Sequence, residues 1–208
     1  MIKLILFDLD GVLVDACDWH YEALNMSLQK NAGIKISRTD HENKFNGSPT
    51  SVKLKILLSE GLVSRDTLES IWEDKQKFTI LTIEHNASLD KQKVSMHESL
   101  ISSGYKIGCV TNSISKTAKL MLEKTGQLKL MGLIISNEDV NRPKPSPECY
   151  IKAMKYFEID PENTLIIEDS EKGYKSAIDS GAYVLRVSNI SEVNLSSIMS
   201  KISSLQGE

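Results

Sequence analysis

The sequence predicts an α/β fold built on a parallel sheet, with a helical domain inserted after the first strand. Three observations support this prediction. Short apolar runs alternate with helix-like stretches, which is typical of βαβ units. Each run is continuously apolar, as expected for parallel strands that are buried on both faces. The long segment after the first run has helical spacing and contains no convincing strand.

The apolar runs define the predicted strands, and glycines divide the helical segment. In chain order the strands span residues 4–7, 106–110, 133–136, 164–167 and 183–187. The helical segment covers residues 15–88, and Gly33, Gly47 and Gly61 divide it into about four helices. A closing helix is predicted in the tail that begins at Ser191. The predicted domains are residues 1–14 with 89–208, and residues 15–88.

The composition is that of a soluble globular protein. Its 25 basic and 28 acidic side chains leave a formal net charge of −3, which argues against a general nucleic-acid binder. No apolar run approaches the roughly 20 residues that span a bilayer, and the apolar start is too short for a signal peptide. The 3 cysteines form no CxxC pair, so we expect neither a zinc site nor a disulfide framework, and a cytoplasmic location. We also expect no membrane or nucleic-acid partner, and a monomer or weak homodimer.

Polar residues cluster where three of the predicted strands end. They are Asp8 and Asp10 after the first strand, Thr111, Asn112 and Ser113 after the second, and Glu168 and Asp169 after the fourth. Ligands of open parallel sheets bind beyond the carboxyl ends of the strands. Helix capping would explain a single acid or hydroxyl at such a place, but it does not require paired acids. We therefore expect one chemical site at this edge of the sheet.

The residue types at these strand ends point to acid–base and metal chemistry. Asp8 and Asp10 are two positions apart in an extended segment, so their carboxylates face the same side. Close carboxylates repel, so either one is protonated or a cation lies between them, and one can serve as nucleophile and the other as general acid. Glu168 and Asp169 offer hard oxygen ligands suited to Mg²⁺. Lys144 stands between two prolines, which hold the backbone around this cation rigid.

The order Asp-x-Asp, Thr-Asn-Ser, Lys and Glu-Asp resembles the four motifs of the haloacid dehalogenase-like hydrolase superfamily. The resemblance covers essentially the whole chain, including the opening from Phe7 to Asp15. Within that superfamily, the sequence is similar to the branch of phosphoglycolate phosphatases, sugar-phosphate phosphatases and beta-phosphoglucomutase. This resemblance implies a Rossmann-like α/β core and a small helical cap formed by residues 15–88. It also implies a phosphoric monoester hydrolase.

The resemblance further implies a role for each motif residue. Asp8 would be the nucleophile and Asp10 the general acid and base, with Lys144 as a third catalytic group. The implied phosphate-binding and substrate-binding residues are Thr111, Asn112, Ser113, His20 and Gly47. The implied Mg²⁺ ligands are Asp8, Asp10 through its backbone carbonyl, Asp169, and Glu168 in or next to the metal shell. The expected activity is Mg²⁺-dependent hydrolysis of a small phosphomonoester, such as a sugar phosphate, through an aspartyl phosphate.

Three alternative functions stay open at this stage. A phosphosugar mutase of the beta-phosphoglucomutase type would need a second anion site, and Thr50 stands where that branch carries an arginine. A receiver-type signalling domain would be shorter, with its acid pair and its phosphorylated aspartate on different strands. A non-catalytic binding module would be expected to lack at least one of Asp8, Asp10, Lys144 and Asp169.

Several residues of the helical segment allow two interpretations. His20 either faces the substrate or packs half-buried beside Trp19. Lys44 flanks the loop that contains Gly47 and is a candidate contact for an anionic substrate. Lys75 and Lys77 are expected on an ordinary helix face rather than at a ligand. In the α/β part, Ser113 either contacts phosphate or caps the next helix.

Overall fold

The computed structural model describes residues 1–207, apart from the side chain of Gln206. The chain divides into two compact units, which are described separately below. One unit combines Met1–Asp15 with the chain from Ser88 onward, and the other is Ala16–Ala87.

A parallel sheet with the order β3-β2-β1-β4-β5 forms the centre of the first unit. Its strands are β1 (Leu4–Phe7), β2 (Lys106–Val110), β3 (Ile134–Ile135), β4 (Thr164–Glu168) and β5 (Tyr183–Arg186). In register, Leu4 lies opposite Lys106 on one side and Thr164 on the other. The two strands β1 and β4 are buried along their whole length, as expected for the middle of a parallel sheet. The predicted fold class is therefore confirmed.

The last strand differs from the prediction. We expected a strand buried on both faces, but Tyr183 is 41% exposed and Arg186 is exposed as well. The reason is its place at the edge of the sheet, where β5 pairs with β4 alone. An apolar run therefore predicted the strand correctly but did not predict its burial.

The unit Ala16–Ala87 is helical, as predicted. Its α-helices are α1 (Cys17–Ala32), α2 (Arg38–Asp40), α3 (Thr50–Ser59) and α4 (Leu68–Asn86); the π-helical turn His41–Phe45 follows α2, and the 3₁₀ turn Arg65–Thr67 precedes α4. Gly33 ends α1 with a φ of 69°, a left-handed conformation that glycine adopts without strain. Leu24, Leu28, Leu57 and Ile71 belong to its buried apolar core.

Helices connect the strands of the first unit. They are α5 (Lys91–Ser102), α6 (Ser115–Lys124), α7 (Glu148–Phe157), α8 (Glu171–Asp179) and α9 (Leu195–Gln206), with 3₁₀ turns at Leu128–Leu130, Asn137–Asp139, Pro161–Asn163 and Ile190–Glu192. Ser170 starts α8 by accepting a hydrogen bond from the Gly173 N–H. Ile198 and Ile202 of the predicted closing helix are buried. Among the described residues, no helix is long and apolar enough to cross a membrane.

Candidate active site

Three acidic residues meet at the carboxyl ends of β1 and β4. Asp8 directly follows β1, Glu168 is the last residue of β4, and Asp169 comes next. One carboxylate oxygen from each lies within 4.8 Å of the others. The absence of a side chain at Gly11 leaves room for Asp169, since a Cβ at that position would lie 2.2 Å from Asp169 Oδ2, and its φ is +86°. The predicted convergence of acids from two strands is thus observed.

Lys144 lies in the middle of these acids and is only 5% exposed. Its ammonium donates to Asp8 Oδ1 at 2.6 Å, to Glu168 Oε1 at 2.5 Å and to the Val110 carbonyl at 2.8 Å. These contacts occupy the three donors of the ammonium group. The lysine therefore holds the end of β2 and both carboxylates in one fixed arrangement.

The site carries more negative charge than Lys144 balances. Burial raises the pKa of Asp8 well above its usual value, and the neighbouring Glu168 carboxylate raises it further. Burial likewise raises the pKa of Asp169 to about 7, with help from Glu168 and Asp10. Burial alone would lower the pKa of Lys144, but Asp8 and Glu168 outweigh it, so that the pKa lies above its usual value. The lysine is therefore charged at neutral pH. The acids around it favour the binding of a further cation.

The donor set fits a Mg²⁺ ion. Asp169 Oδ1 is buried and accepts no hydrogen bond from the described residues, which is costly for a carboxylate unless a cation is bound. Mg²⁺ prefers oxygen ligands, and Asp8 and Asp169 supply them. Together with the raised pKa values of both acids, this orphaned oxygen supports the predicted metal site.

The second carboxylate of the Asp-x-Asp segment has different surroundings. Asp10 Oδ2 accepts a hydrogen bond from Ser113 Oγ at 2.9 Å and lies 3.4 Å from Thr111 Oγ1. Leu9 between the two acids is fully buried. Ser113 therefore bonds an acid of the site with its hydroxyl, and α6 begins after Ile114 rather than after Ser113.

Asn112 is hydrogen-bonded to the backbone of Lys144. Its side-chain Oδ1 accepts from the Lys144 N–H at 3.0 Å, and its Nδ2 donates to the Lys144 carbonyl at 3.2 Å. Both ends of the amide are thus bonded to the residue that carries the ammonium. The sequence suggested Asn112 as a phosphate contact, whereas these bonds indicate a role in positioning Lys144.

Sequence reasoning missed Tyr150. Its hydroxyl donates to Glu168 Oε1 at 2.6 Å, and its ring centroid lies 4.8 Å from Lys144 Nζ. Tyr150 is fully buried on α7, two residues after Glu148. The only available signal was a tyrosine on the apolar face of a predicted helix, because a buried tyrosine hydroxyl usually has a partner. The identity of that partner is not encoded locally.

The remaining predicted residues belong to the helical unit. His20 is half-buried, and its Nδ1 lies 3.4 Å from Lys75 Nζ. Gly47 has a φ of +67° and follows the turn His41–Phe45 after one residue. Lys44 is exposed, and it forms an ion pair with Glu60 at 2.9 Å. Lys75 of α4 is buried, whereas Lys77 of the same helix is exposed.

The fold and the site together define the class of this protein. Parallel strands that carry an Asp-x-Asp segment, a hydroxyl cluster, a buried lysine and an acid pair at one edge are the arrangement expected of a haloacid dehalogenase-like hydrolase. The sequence profile described as "Haloacid dehalogenase-like hydrolase" matches residues 5–187. The chain therefore belongs to this family. This membership confirms the predicted family and the predicted enzyme class, a phosphoric monoester hydrolase of the haloacid dehalogenase type.

Similar proteins carry related names. The chain is 26% identical over 212 residues to a phosphoglycolate phosphatase of Aquifex aeolicus, with 94% of this chain and 92% of that protein covered. It is 31% identical over 177 residues to the pyrophosphatase PpaX of Oceanobacillus iheyensis, with 81% and 75% covered. The crystal structure of a beta-phosphoglucomutase from Clostridium difficile superposes with a TM-score of 0.85 at 23% identity, covering 100% of both chains. At that identity, the likeness to the mutase supports the shared fold alone.

Proposed function

We propose that this protein is a Mg²⁺-dependent phosphatase that hydrolyses a small phosphomonoester, a sugar phosphate or a similar metabolite, through an aspartyl phosphate. One observation carries the proposal. The two carboxylates of one Asp-x-Asp segment have different partners: Asp8 pairs with the buried Lys144, and Asp10 pairs with the Ser113 hydroxyl. Carboxylates whose surroundings differ in this way can take the separate roles of nucleophile and acid–base group.

In the proposed reaction, a carboxylate oxygen of Asp8 attacks the phosphorus atom, and the bond to the leaving alkoxide breaks. Asp10, in its protonated form, gives its proton to the leaving alcohol. Asp10 then takes a proton from water, and the resulting hydroxide attacks the phosphorus of the aspartyl phosphate. Inorganic phosphate leaves, and Asp8 regains its carboxylate. The hydrogen bonds from Ser113 and Lys144 orient the two carboxylates for these steps.

The charges around Asp8 determine how it can meet a phosphate dianion. A carboxylate and a phosphate repel, so the site needs positive charge where the oxygens of the phosphoryl group lie. Lys144 supplies one charge, with Thr111 as a candidate phosphate contact. Asp8, Asp169 and the Asp10 carbonyl are the proposed Mg²⁺ ligands, and the ion would offset the charge on the transferring phosphoryl group. Because Glu168 Oε1 accepts from both Lys144 and Tyr150, we propose that Glu168 lies beside the metal and positions Lys144.

The helical unit is the proposed cap. We propose that residues 15–88 limit the access of water during phosphoryl transfer and open for product release. His20 and Gly47 are the proposed substrate contacts of this cap. The relatives named above act, by their names, on phosphoglycolate and pyrophosphate, so small phosphorylated compounds form the proposed substrate class.

Mg²⁺ dependence gives the most direct test of this proposal. A panel of phosphomonoesters should release inorganic phosphate in the presence of Mg²⁺, and excess EDTA should remove the activity. Restoring Mg²⁺ should restore it. Full activity after verified removal of the metal would overturn the Mg²⁺-dependent mechanism.

The same panel tests the mutase alternative, if it contains beta-glucose 1-phosphate with a trace of glucose 1,6-bisphosphate. Glucose 6-phosphate forming much faster than free phosphate would favour a mutase.

Asn112→Ala is expected to lower kcat without unfolding the protein. The substitution removes both hydrogen bonds to the Lys144 backbone, and a small displacement of a catalytic group lowers turnover by up to about 10²-fold. Asn141→Ala is the matched control, because Asn141 is exposed at the start of the same loop. The measurement is kcat and KM for one phosphomonoester, together with thermal unfolding. Unchanged kcat in Asn112→Ala would contradict the positioning role.

A further inference from the structure

Two fully buried polar side chains of the first unit have no part in the reaction proposed above. They are His97 on α5 and Gln127, the third residue after α6, and each is 0% exposed. A buried polar group needs hydrogen-bond partners that replace the lost water. The partners of these two side chains therefore indicate what the side chains hold in place.

Gln127 is bonded to the turn that carries Asp10. Its Nε2 donates to the Leu13 carbonyl at 3.1 Å, across 114 positions of sequence. The N–H groups of Leu13 and Val14 both donate to the Leu9 carbonyl, each at 2.9 Å, and these bonds close the turn. Asp10 lies inside this turn, directly after Leu9. A displacement of Leu13 would therefore also displace Asp10.

The partners of Gln127 determine the orientation of its amide. The Leu13 carbonyl can only accept, so the atom that faces it is the amide nitrogen. The same nitrogen donates to Thr125 Oγ1 at 2.9 Å, and the Thr125 hydroxyl donates in turn to the Met121 carbonyl at 2.8 Å. The amide oxygen then faces His97 Nε2 at 2.9 Å, so this ring nitrogen carries the proton. The amide of Gln127 is thus held in one orientation by partners on both of its ends.

His97 also contacts the residue before the proposed nucleophile. Its ring packs edge-to-face against the ring of Phe7, with centroids 5.1 Å apart. Phe7 is the last residue of β1, and Asp8 follows it directly. His97 therefore contacts the chain before the Asp-x-Asp segment through its ring and the chain after that segment through Gln127.

A histidine at this position is a costly choice for packing alone. Its Nδ1 is buried and has no hydrogen-bond partner among the described residues. Burial lowers the pKa of the His97 ring to about 4, so the ring is neutral at physiological pH. An apolar side chain could fill the same space without an unsatisfied nitrogen. The bond that the other nitrogen makes to Gln127 gives the histidine a reason to be there.

We propose that Gln127, oriented by His97, is a positioning residue for Asp10. This inference rests on the proposed function, in which Asp10 gives a proton to the leaving alcohol and later takes one from water. Both transfers depend on the place of this carboxylate, since a displacement of about 1 Å can lower a rate by about 10²-fold. Gln127 bonds the Leu13 backbone, so its action on Asp10 passes through the turn.

Gln127→Met tests the proposal, because methionine has nearly the length of glutamine but cannot donate to the Leu13 carbonyl. kcat should fall by about tenfold to 10²-fold, as expected for a displaced catalytic group. KM should stay at the wild-type value, since the substitution changes no proposed substrate contact. Gln127→Leu serves as a second variant if methionine impairs folding.

Thr164→Val is the matched control. It removes another buried side-chain hydrogen bond of the same unit, which Thr164 Oγ1 donates to the Asp160 carbonyl at 3.0 Å. Thr164 is the first residue of β4, whereas the site lies where β4 ends. Its kcat should equal that of the wild type even if its melting temperature falls.

A double-mutant cycle with Asp10→Asn separates positioning from a general loss of structure. If Gln127 acts through Asp10, Gln127→Met should lower kcat in the protein that contains Asp10 and should have almost no effect on kcat in the Asp10→Asn protein. A merely structural role of Gln127 would lower kcat by the same factor in both proteins.

Two variants of His97 test the orientation of the amide. His97→Gln can place an amide nitrogen where Nε2 lies, so it should retain most of the wild-type kcat. His97→Phe keeps the ring contact with Phe7 but leaves Gln127 Oε1 without its donor, so its kcat should fall as in Gln127→Met. Wild-type kcat in His97→Phe would contradict the role of His97.

Hydrogen exchange gives a readout that needs no substrate. The Leu13 and Val14 N–H groups should exchange faster in Gln127→Met than in the wild type, and at the wild-type rate in Thr164→Val. Wild-type kcat in Gln127→Met, or equal losses of kcat in both proteins of the cycle, would overturn the inference. Failure of the proposed function would differ from both, because the wild type would then release phosphate from no ester of the panel, or Asp10→Asn would retain the wild-type kcat.

Discussion

Asp8→Asn is expected to abolish phosphate release and to leave the fold intact. The amide has nearly the shape of the carboxylate and keeps an oxygen that accepts the Lys144 hydrogen bond, but it is not a competent nucleophile. Loss of the nucleophile of a serine protease lowers kcat by about 10⁶-fold, and a loss of similar order is expected here. Burial and Glu168 already disfavour the charged form of Asp8, so the neutral amide relieves a repulsion. The melting temperature should therefore stay level or rise.

Asp10→Asn is the matched comparison, since the same change is made two residues away in the same segment. It should lose only the contribution of a general acid and base, about 10²- to 10⁴-fold in kcat. Acid-quenched samples of the wild type turning over substrate should contain a phosphorylated peptide with Asp8, and Asp8→Asn should contain none. Thermal unfolding by circular dichroism reports on the fold. Wild-type kcat in Asp8→Asn would exclude the covalent route.

Lys144→Met is expected to reduce stability as well as activity. The substitution leaves Asp8 and Glu168 buried and facing one another without the cation that bonds both. Removal of one partner from a buried ion pair typically lowers the free energy of unfolding by about 3–5 kcal/mol. Turnover should fall by on the order of 10²- to 10³-fold or more, as for the loss of a donor that stabilises developing negative charge.

The stability effect is measured by chemical denaturation of Lys144→Met beside the wild type. Lys155→Met is the control, because Lys155 is exposed on α7, and its free energy of unfolding should change by no more than about 0.5 kcal/mol. Adding Glu168→Gln to Lys144→Met removes one of the two facing charges and should restore part of the lost stability. If Lys144→Met were as stable as the wild type, the structural role of this ion pair would be refuted.

The strands and the edge that carries the site could be predicted from the sequence because their signals are local. The bounds of β1 and β2 agree with the predicted runs, and β4 extends its run by one residue, Glu168. A run of apolar residues reports directly on a buried parallel strand. Since strand ends in a parallel sheet share one edge, the polar residues that follow the runs could be assigned to a common site.

The partners within that site could not be predicted, because they depend on contacts between distant parts of the chain. Lys144 bonds Asp8 across 136 positions of sequence, and Asn112 bonds the Lys144 backbone across 32. These contacts join segments that the sheet brings side by side, since β1 lies between β2 and β4, and the local pattern does not encode that order. The bond between Tyr150 and Glu168 was not predicted for the same reason, since the two residues are 18 positions apart in sequence.

The sequence alone thus determined the α/β class with its helical segment, and it predicts the residues that would supply the chemistry. Only the tertiary structure decided which residues form ion pairs or hydrogen bonds with these side chains, and which polar side chains are buried. The burial of Lys53 and Lys75 is the clearest case, since the exposed Lys55 and Lys77 lie only two residues away on the same helices. Residue type and helical spacing describe a side chain and its direction on its own helix. The exposure of the side chain depends on the elements that pack against that face. The free-energy cost of keeping it charged depends on them as well.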